Sequence, residues 1–327
     1  MQRKTLLRTT LVASLLAVTG SVMAQAQAQA QSYPAKPVTV IIPFPPGGTL
    51  DVVGRMLAQK LGEQMGQTFV IENKAGGQGT LGGIAVAKAP ADGYTLLFNA
   101  SAFTTTPATM KNPPYDVAKD FTPVALVAKA PLAIAVNNKL PFNDVKGMLS
   151  YAKANPGKMT FAIGSAASAG HLSTELLKRA GNLDYIIVPY KGSAPAYQDL
   201  VGGQIDAFID PILGSAGFAK AGQLKLIAVT SKARVPNQPE LPTVGESVPG
   251  FEFYSWYGLW GPANLPKDIV ARLNTEVNKA LAGEMRDKLT QQGLLLTPGS
   301  TEDFIKFQRE DMALTGKIIA DGKIRAE

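Results

Sequence analysis

Five loops that each follow a predicted strand are the part of this sequence that could do chemistry. Four of them are rich in Gly, Ser, Thr or Ala, and several open directly into a helix. Glycine lets a backbone approach a ligand closely, and helix N-termini present free N–H groups that suit an anion. A single loop of this kind is explained better as a turn or cap, but five on one edge of a sheet favour a binding site. The loops are PFPPGGT after Ile42, NASAFTTT after Phe98, GSAASAGH after Ile163, PYKGSAPA after Val188 and DPILGSAG after Ile209.

The first of these loops combines three prolines with two glycines. Proline stiffens a turn but supplies no N–H group. The amides left to hold a carboxylate are those of Gly47, Gly48, Thr49 and the residues that start the next helix. No Arg or Lys lies between positions 38 and 54, so we expect amides and hydroxyls to hold the anion. Phe44 either lines the ligand pocket or packs into the core beneath the loop.

Three further side chains have two interpretations each. His171, the one histidine of the chain, either contacts a ligand from the first turn of its helix or caps that turn. The helix dipole disfavours protonation there, so it is expected to be neutral. Asp210 ends a strand that faces the cleft, and it binds a ligand amine or hydroxyl or caps the turn DPIL. Lys191 is either the charged partner of an anion or an ordinary exposed lysine.

Enzymatic alternatives are weakly supported. The match to G-x-G-x-x-G at Gly77–Gly82 lacks an acidic residue at the end of the next strand, because Asp92 precedes that strand. Ser168 in AASAG resembles a nucleophile elbow, but the histidine lies three residues on, where it cannot act as an independent base. One His and no Cys leave only carboxylates for a metal. We therefore expect no enzyme, cofactor or metal, with a periplasmic serine hydrolase as the alternative.

The elements around these loops alternate between strand and helix. Val38–Ile42 is predicted as a buried β-branched strand, and a helix is predicted from Asp51 to near Gly66. Repetition of this pattern indicates a parallel sheet covered by helices. Phe121–Asn138 contains two apolar runs separated by Lys129 and Pro131.

A second alternating set then begins, and the chain ends in helices. This nesting predicts an α/β protein of two lobes, with the chain crossing between them twice and a ligand cleft between them. The predicted first lobe combines residues 33–130 and 255–327, and the predicted second lobe is 131–254.

The N-terminus has the layout of a secretory signal peptide. A basic start precedes the short apolar run Leu11–Val22, and small residues follow. The predicted signal peptide is 1–24, with cleavage as late as 32, and the predicted location is the periplasm. The formal charge is +7, or +4 without residues 1–24. No basic stripe with interleaved aromatics is present, so nucleic acid is not an expected partner.

Several long segments resemble one family. They include YPAKPVTVIIPFPPGGTLDVVGRMLAQKL, VIENKAGGQGTLGG, PYKGSAPAYQDLVGGQIDAFID and LPTVGESVPGFEFYSWYGLWGPANLP. In these, and over nearly all of the mature chain, the sequence is similar to the extracytoplasmic solute-binding proteins of tripartite tricarboxylate transporters, the Bug family. The resemblance implies a two-lobed periplasmic binding protein of type II that carries a small carboxylate (dicarboxylate, amino acid or aromatic acid) to membrane permease subunits.

The resemblance also implies a set of ligand-contacting positions. We expect a monomer, and a ligand-sensing partner of a receptor kinase is a further alternative to a transport protein. Asp210 sits where family members vary according to ligand. The implied ligand-binding residues are Phe44, Pro46, Gly47, Gly48, Thr49, Ser101, Gly164, Ser165, Ser168, His171, Gly192 and Asp210.

Overall fold

The computed structural model describes residues 33–325, so the predicted signal peptide lies outside the described residues. The described residues fall into two units, 33–36 and Pro37 onward, and every helix and strand named below lies in the second. The strands are β1 Val38–Ile42, β2 Phe69–Asn73, β3 Thr95–Ala100, β4 Phe121–Asn137, β5 Thr160–Ile163, β6 Ile186–Pro189, β7 Ala207–Pro211, β8 Leu224–Val229, β9 Tyr254–Pro262 and β10 Leu295–Leu296.

The helices lie between these strands and at the C-terminal end, as the alternating pattern predicts. They are α1 Thr49–Met65, α2 Thr80–Ala87, α3 Ala102–Thr105, α4 Val145–Ala154, α5 Ala169–Ala180, α6 Ser193–Gly202, α7 Ile212–Lys220, α8 Lys267–Ala280, α9 Glu284–Gln291 and α10 Thr301–Gly322.

The strands form a first half-sheet and a second half-sheet that share β4. The first has the order β2-β1-β3-β9-β4, and the second continues as β4-β7-β5-β6, with β8 also paired to β4. β1 pairs in parallel with β2 and β3, and β5 pairs in parallel with β6 and β7. β9 runs antiparallel to both β3 and β4. The sheet is therefore mixed, where the alternation alone predicted a parallel one.

β4 is one continuous strand of 17 residues, where the sequence predicted two separate apolar runs. Residues Phe121–Pro131 pair with β9, and Leu132–Val136 pair with β7. Pro131 stands where the neighbouring strand changes, a position at which its missing N–H group is tolerated. The Lys129 ammonium lies 4.7 Å from the centre of the Phe307 ring, which explains how a charged residue fits in this strand.

Each half-sheet has its own apolar core. In the first, Trp260 contacts the rings of Phe103 and Phe304. In the second, Phe161 stacks on Tyr185 with ring centres 4.2 Å apart. The C-terminal helix α10 contributes to both cores, because Phe304 packs in the first while Ile319, at its other end, packs in the second. The predicted residue boundaries of the two lobes stay a prediction.

No helix among residues 33–325 is long and apolar enough to cross a membrane.

Candidate functional site

A cavity of about 120 Å³ lies where the two half-sheets meet. It is lined from the first half-sheet by the loop after β1, the end of β3 and part of β9, and from the second by the loops after β5 and β6 and the end of β7. The lining residues are Phe44, Pro45, Pro46, Gly48, Thr49, Leu50, Ala100, Ser101, Ala102, Gly164, Ser165, Ser168, Ala169, Gly170, Lys191, Gly192, Ser193, Ala194, Pro195, Asp210, Pro211, Ser255 and Tyr257.

The loop after β1 is held by a buried carboxylate. Asp51 Oδ2 accepts hydrogen bonds from the Gly47 amide at 3.0 Å and from Arg55 Nε at 2.9 Å. Asn73 Nδ2 donates to Asp51 Oδ1 at 2.9 Å and to the Phe44 carbonyl at 3.0 Å. Burial alone would raise the pKa of Asp51, but the hydrogen bonds from Arg55, Gly47 and Asn73 bring it below its ordinary value. The loop is therefore fixed before any ligand arrives.

This brace changes the expected set of free amides. The Gly47 amide is committed to Asp51, contrary to the expectation that it is available for a carboxylate. α1 begins at Thr49, two residues earlier than predicted, with Gly48 as its N-cap. The first amides of a helix have no intrahelical partners. The backbone amides of Thr49 and Leu50 belong to this first turn, and both residues line the cavity.

A second helix N-terminus borders the cavity at the loop after β5. The Ser168 hydroxyl caps α5 by accepting from the His171 amide at 3.2 Å, and His171 Nδ1 accepts from the Ala167 amide at 3.0 Å. Burial lowers the pKa of His171 to about 4. A Cβ on Gly170 would overlap the Ile209 carbonyl oxygen, so only glycine fits that close approach. His171 braces this loop as a neutral ring.

The third helix N-terminus belongs to α6. Gly192 has φ +104°, a left-handed conformation that favours glycine, and its amide donates to the Gly164 carbonyl at 2.6 Å. A Cβ on Gly192 would lie 3.9 Å from Pro45 Cδ, so the loops of the two half-sheets approach each other here. The two half-sheets are also linked directly, because Thr105 Oγ1, in α3 after β3, donates a hydrogen bond to the Ala167 carbonyl, in the loop after β5, at 2.6 Å.

Among the described residues that line the cavity, Asp210 is the one acidic side chain, and it is 7% exposed. It accepts hydrogen bonds from Ser193 Oγ at 3.0 Å and from the Tyr197 hydroxyl at 3.2 Å. Burial raises the pKa of Asp210 to about 7 even though both hydrogen bonds oppose that shift. At neutral pH this carboxyl group is therefore close to its midpoint of titration.

Ten of the twelve residues predicted from the sequence line the cavity, while Gly47 and His171 do not. Of the two alternatives for Phe44, the structure supports the cavity wall, because Phe44 lines the cavity and is half-buried. Lys191 is exposed at the cavity wall. Ligand contact by any of these residues stays a prediction.

Sequence reasoning missed several residues of this site. Asp51 stands at the third position of α1, a spacing at which a carboxylate reaches back to amides before the helix, and that signal was available. Ser193 follows the glycine in a loop that the sequence had already singled out. Tyr257 and Ser255 lie on β9, a strand that no loop motif marks. Among residues 33–325 no cluster of three or more His, Asp or Glu side chains is arranged to hold a metal ion.

Comparison with known proteins agrees with this architecture. A family model described as the tripartite tricarboxylate transporter family receptor matches residues 53–324. The chain belongs to this family. Its members are solute-binding receptors. The Ser168 hydroxyl accepts from the His171 backbone amide and is not paired with the His171 ring, so its geometry gives no support to a hydrolase.

Three solved structures show what this receptor is similar to. Rpa4515 of R. palustris with adipate is 36% identical, with TM-score 0.87 over 90% of this chain and 99% of that one. The periplasmic binding protein BugD is 34% identical, with TM-score 0.84 over 90% and 99% of the two chains. MatC of Rhodopseudomonas palustris with bound malate is 32% identical, with TM-score 0.81 over 88% and 100%. The predicted α/β, two-lobed fold of a type II periplasmic binding protein is thereby confirmed.

Proposed function

We propose that this receptor is a periplasmic protein that captures a small carboxylate and delivers it to the permease subunits of a tripartite tricarboxylate-type transporter. The observation that carries the proposal is that one cavity is lined by the first residues of three helices of ten or more residues, at Thr49, Ala169 and Ser193. Each N-terminus favours an anion by typically about 0.3–1 kcal/mol, and by more when partly buried.

The chemistry of the wall supports the same ligand class. Lys191 is the one basic side chain among the lining residues, all of which lie in the described part of the chain, and it is exposed. A carboxylate would therefore be held by amides and by the hydroxyls of Ser101, Ser165 and Ser168. Because such donors are oriented by the backbone and do not need to be ordered on binding, little entropy is lost.

The relatives support the ligand class and the location. Rpa4515 was solved with adipate and MatC with malate, which are small carboxylates, and BugD is described as periplasmic. The predicted signal peptide is consistent with export to the same compartment. We propose that the protein acts there as a monomer.

The test is calorimetric titration with small carboxylates, each measured beside its own primary amide. The panel contains dicarboxylates, amino acids and aromatic acids. We expect at least one acid to bind with one-to-one stoichiometry and its amide to bind at least tenfold more weakly, about 1.4 kcal/mol. Equal affinity for acid and amide, or no binding across the panel, would contradict a carboxylate site. Ester hydrolysis that is lost in Ser168→Ala would instead support the hydrolase.

A further inference from the structure

The buried carboxyl group of Asp210 has hydroxyl partners but no cation. None of the ion pairs found among residues 33–325 includes it. Its hydrogen-bond donors are the Ser193 and Tyr197 hydroxyls. A buried charge without an opposite charge is costly, and hydroxyl dipoles offset that cost only in part. Asp210 therefore gains from any ligand group that brings a positive charge or a further donor.

Two hydroxyl groups beside Asp210 have no partner. A Cβ on Gly214 would lie 3.1 Å from each of three oxygens, Thr49 Oγ1, Tyr197 Oη and Asp210 Oδ2, so these atoms surround one small space. Thr49 Oγ1 and the Tyr257 hydroxyl are both buried without a hydrogen-bond partner in the described part of the chain. Tyr257 is 1% exposed and lines the cavity. Unsatisfied buried hydroxyls cost free energy, but a hydroxyl can accept from a ligand donor or donate to a ligand acceptor, so the carboxylate of Asp210 decides which ligand group is favoured.

We propose that the site selects a carboxylate whose other end carries a hydrogen-bond donor, an ammonium or a hydroxyl group, and that Asp210 is the residue that sets this specificity. This proposal rests on the proposed function, since it assumes that the helix N-termini hold the first carboxylate. Asp210 then receives the donor, with the buried hydroxyls of Tyr257 and Thr49 close by. A second ligand carboxylate at the same place would meet a like charge, which is a repulsive element of the kind that sets specificity.

The two ligand classes have opposite pH dependence. The titratable groups that face Asp210 are Tyr197 and Tyr257, and burial together with the nearby Asp210 charge raises the pKa of both above its ordinary value. Between about pH 6 and about pH 8 the group in this cluster that titrates is therefore Asp210 itself. An ammonium ligand binds more tightly as pH rises and Asp210 ionises. A dicarboxylate binds more weakly over the same interval.

The experiment is calorimetry with acids of equal chain length that differ only at the far end. Each set contains the methyl, hydroxyl, ammonium and carboxylate form, for example butyrate, 4-hydroxybutyrate, 4-aminobutyrate and succinate, together with longer homologues and the α-amino acids. At about pH 8 we expect a donor-bearing acid to bind at least tenfold more tightly than the dicarboxylate of its set, about 1.4 kcal/mol. The ammonium and hydroxyl forms distinguish the two sources of the donor.

Two variants and a control complete the test. Asp210→Asn should abolish the preference over the dicarboxylate, and Tyr257→Phe should weaken the donor-bearing acid while leaving the plain monoacid unchanged. Asp311→Asn is the matched control, because Asp311 lies outside the cavity wall and burial likewise raises its pKa, to about 6. It should retain the preference.

The outcomes separate this inference from the proposed function. A dicarboxylate that binds most tightly at about pH 8, with a ranking unchanged in Asp210→Asn, overturns the specificity role and leaves carboxylate binding intact. Failure of every acid to bind overturns both proposals.

Discussion

Gly48→Val tests whether the turn after β1 is a carboxylate cradle. Gly48 lines the cavity immediately before the helix amides of Thr49 and Leu50. A valine side chain at this position would occupy space that the ligand carboxylate needs. We therefore expect carboxylate affinity to fall at least tenfold, which is about 1.4 kcal/mol.

The structure indicates that the substitution does little to folding. Gly48 has φ −78° and ψ 166°, a conformation that any residue adopts, and an added Cβ would meet nothing within 4 Å. Valine is a poorer N-cap than glycine, which costs about 1 kcal/mol of helix stability. By contrast, Gly47 has φ +87°, where a side chain is strained by about 1–2 kcal/mol. Gly48 is thus the position at which binding and folding can be separated.

Gly283→Val is the matched control for Gly48→Val. Gly283 is also a glycine N-cap, of α9, with φ −102° and no atom within 4 Å of an added Cβ, and it does not line the cavity. Both variants should lose a similar amount of stability in urea unfolding, while only Gly48→Val loses affinity in calorimetry. Parental affinity in Gly48→Val, or an equal loss in both variants, would refute the cradle.

Four further expectations follow from the same structure. Asp51→Ala removes the brace of the first loop and should cost about 1–3 kcal/mol in urea unfolding; because the pKa of Asp51 is lowered, this contribution should be present near neutral pH and disappear in acid. Asp210, whose pKa is raised from 3.8 to about 7, should make the parent lose stability relative to Asp210→Asn as pH rises through that interval, and parallel curves would contradict the shift. Terminal sequencing of periplasmic protein should find a start between positions 25 and 32, and a start at Met1 would exclude cleavage. Small-angle scattering should show compaction on ligand addition, with hinges near Ala130–Leu132 and Phe253–Tyr257, and an unchanged radius would oppose a closing cleft.

Local sequence signals predicted much of the fold. The β-branched run Val38–Ile42 is a strand with the predicted bounds, and Asp144 caps α4 as its residue type indicates, accepting from Gly147 N at 2.6 Å. Gly, Ser and Ala, residues typical of turns, predict a loop after Asp210, whereas Ile212–Lys220 forms the helix α7. β9 was missed because Tyr254–Pro262 is buried on both faces and shows no polar alternation.

The site was predicted where it depends on loops and missed where it depends on long-range contacts. Glycine-rich turns after strands identified the loops that contain Gly48, Ser168 and Gly192, and the family resemblance singled out these residues within them. The cluster around Asp210 brings together Thr49 and Tyr257, which are distant from each other in sequence and meet only because β9 inserts between β3 and β4. Periodicity and turn chemistry describe near neighbours in the chain, so they carry no signal for such a meeting.

Native mass spectrometry of the exported protein, purified without denaturation beside Gly48→Val, tests most directly whether the cavity binds a small carboxylate. We expect one small acid to be bound per parent chain, to be released on unfolding, and to be identified by its mass and fragmentation as a carboxylate. The Gly48→Val protein should lack it. A bound molecule without a carboxyl group, or the same acid retained at full occupancy by Gly48→Val, would contradict the assignment of the cavity.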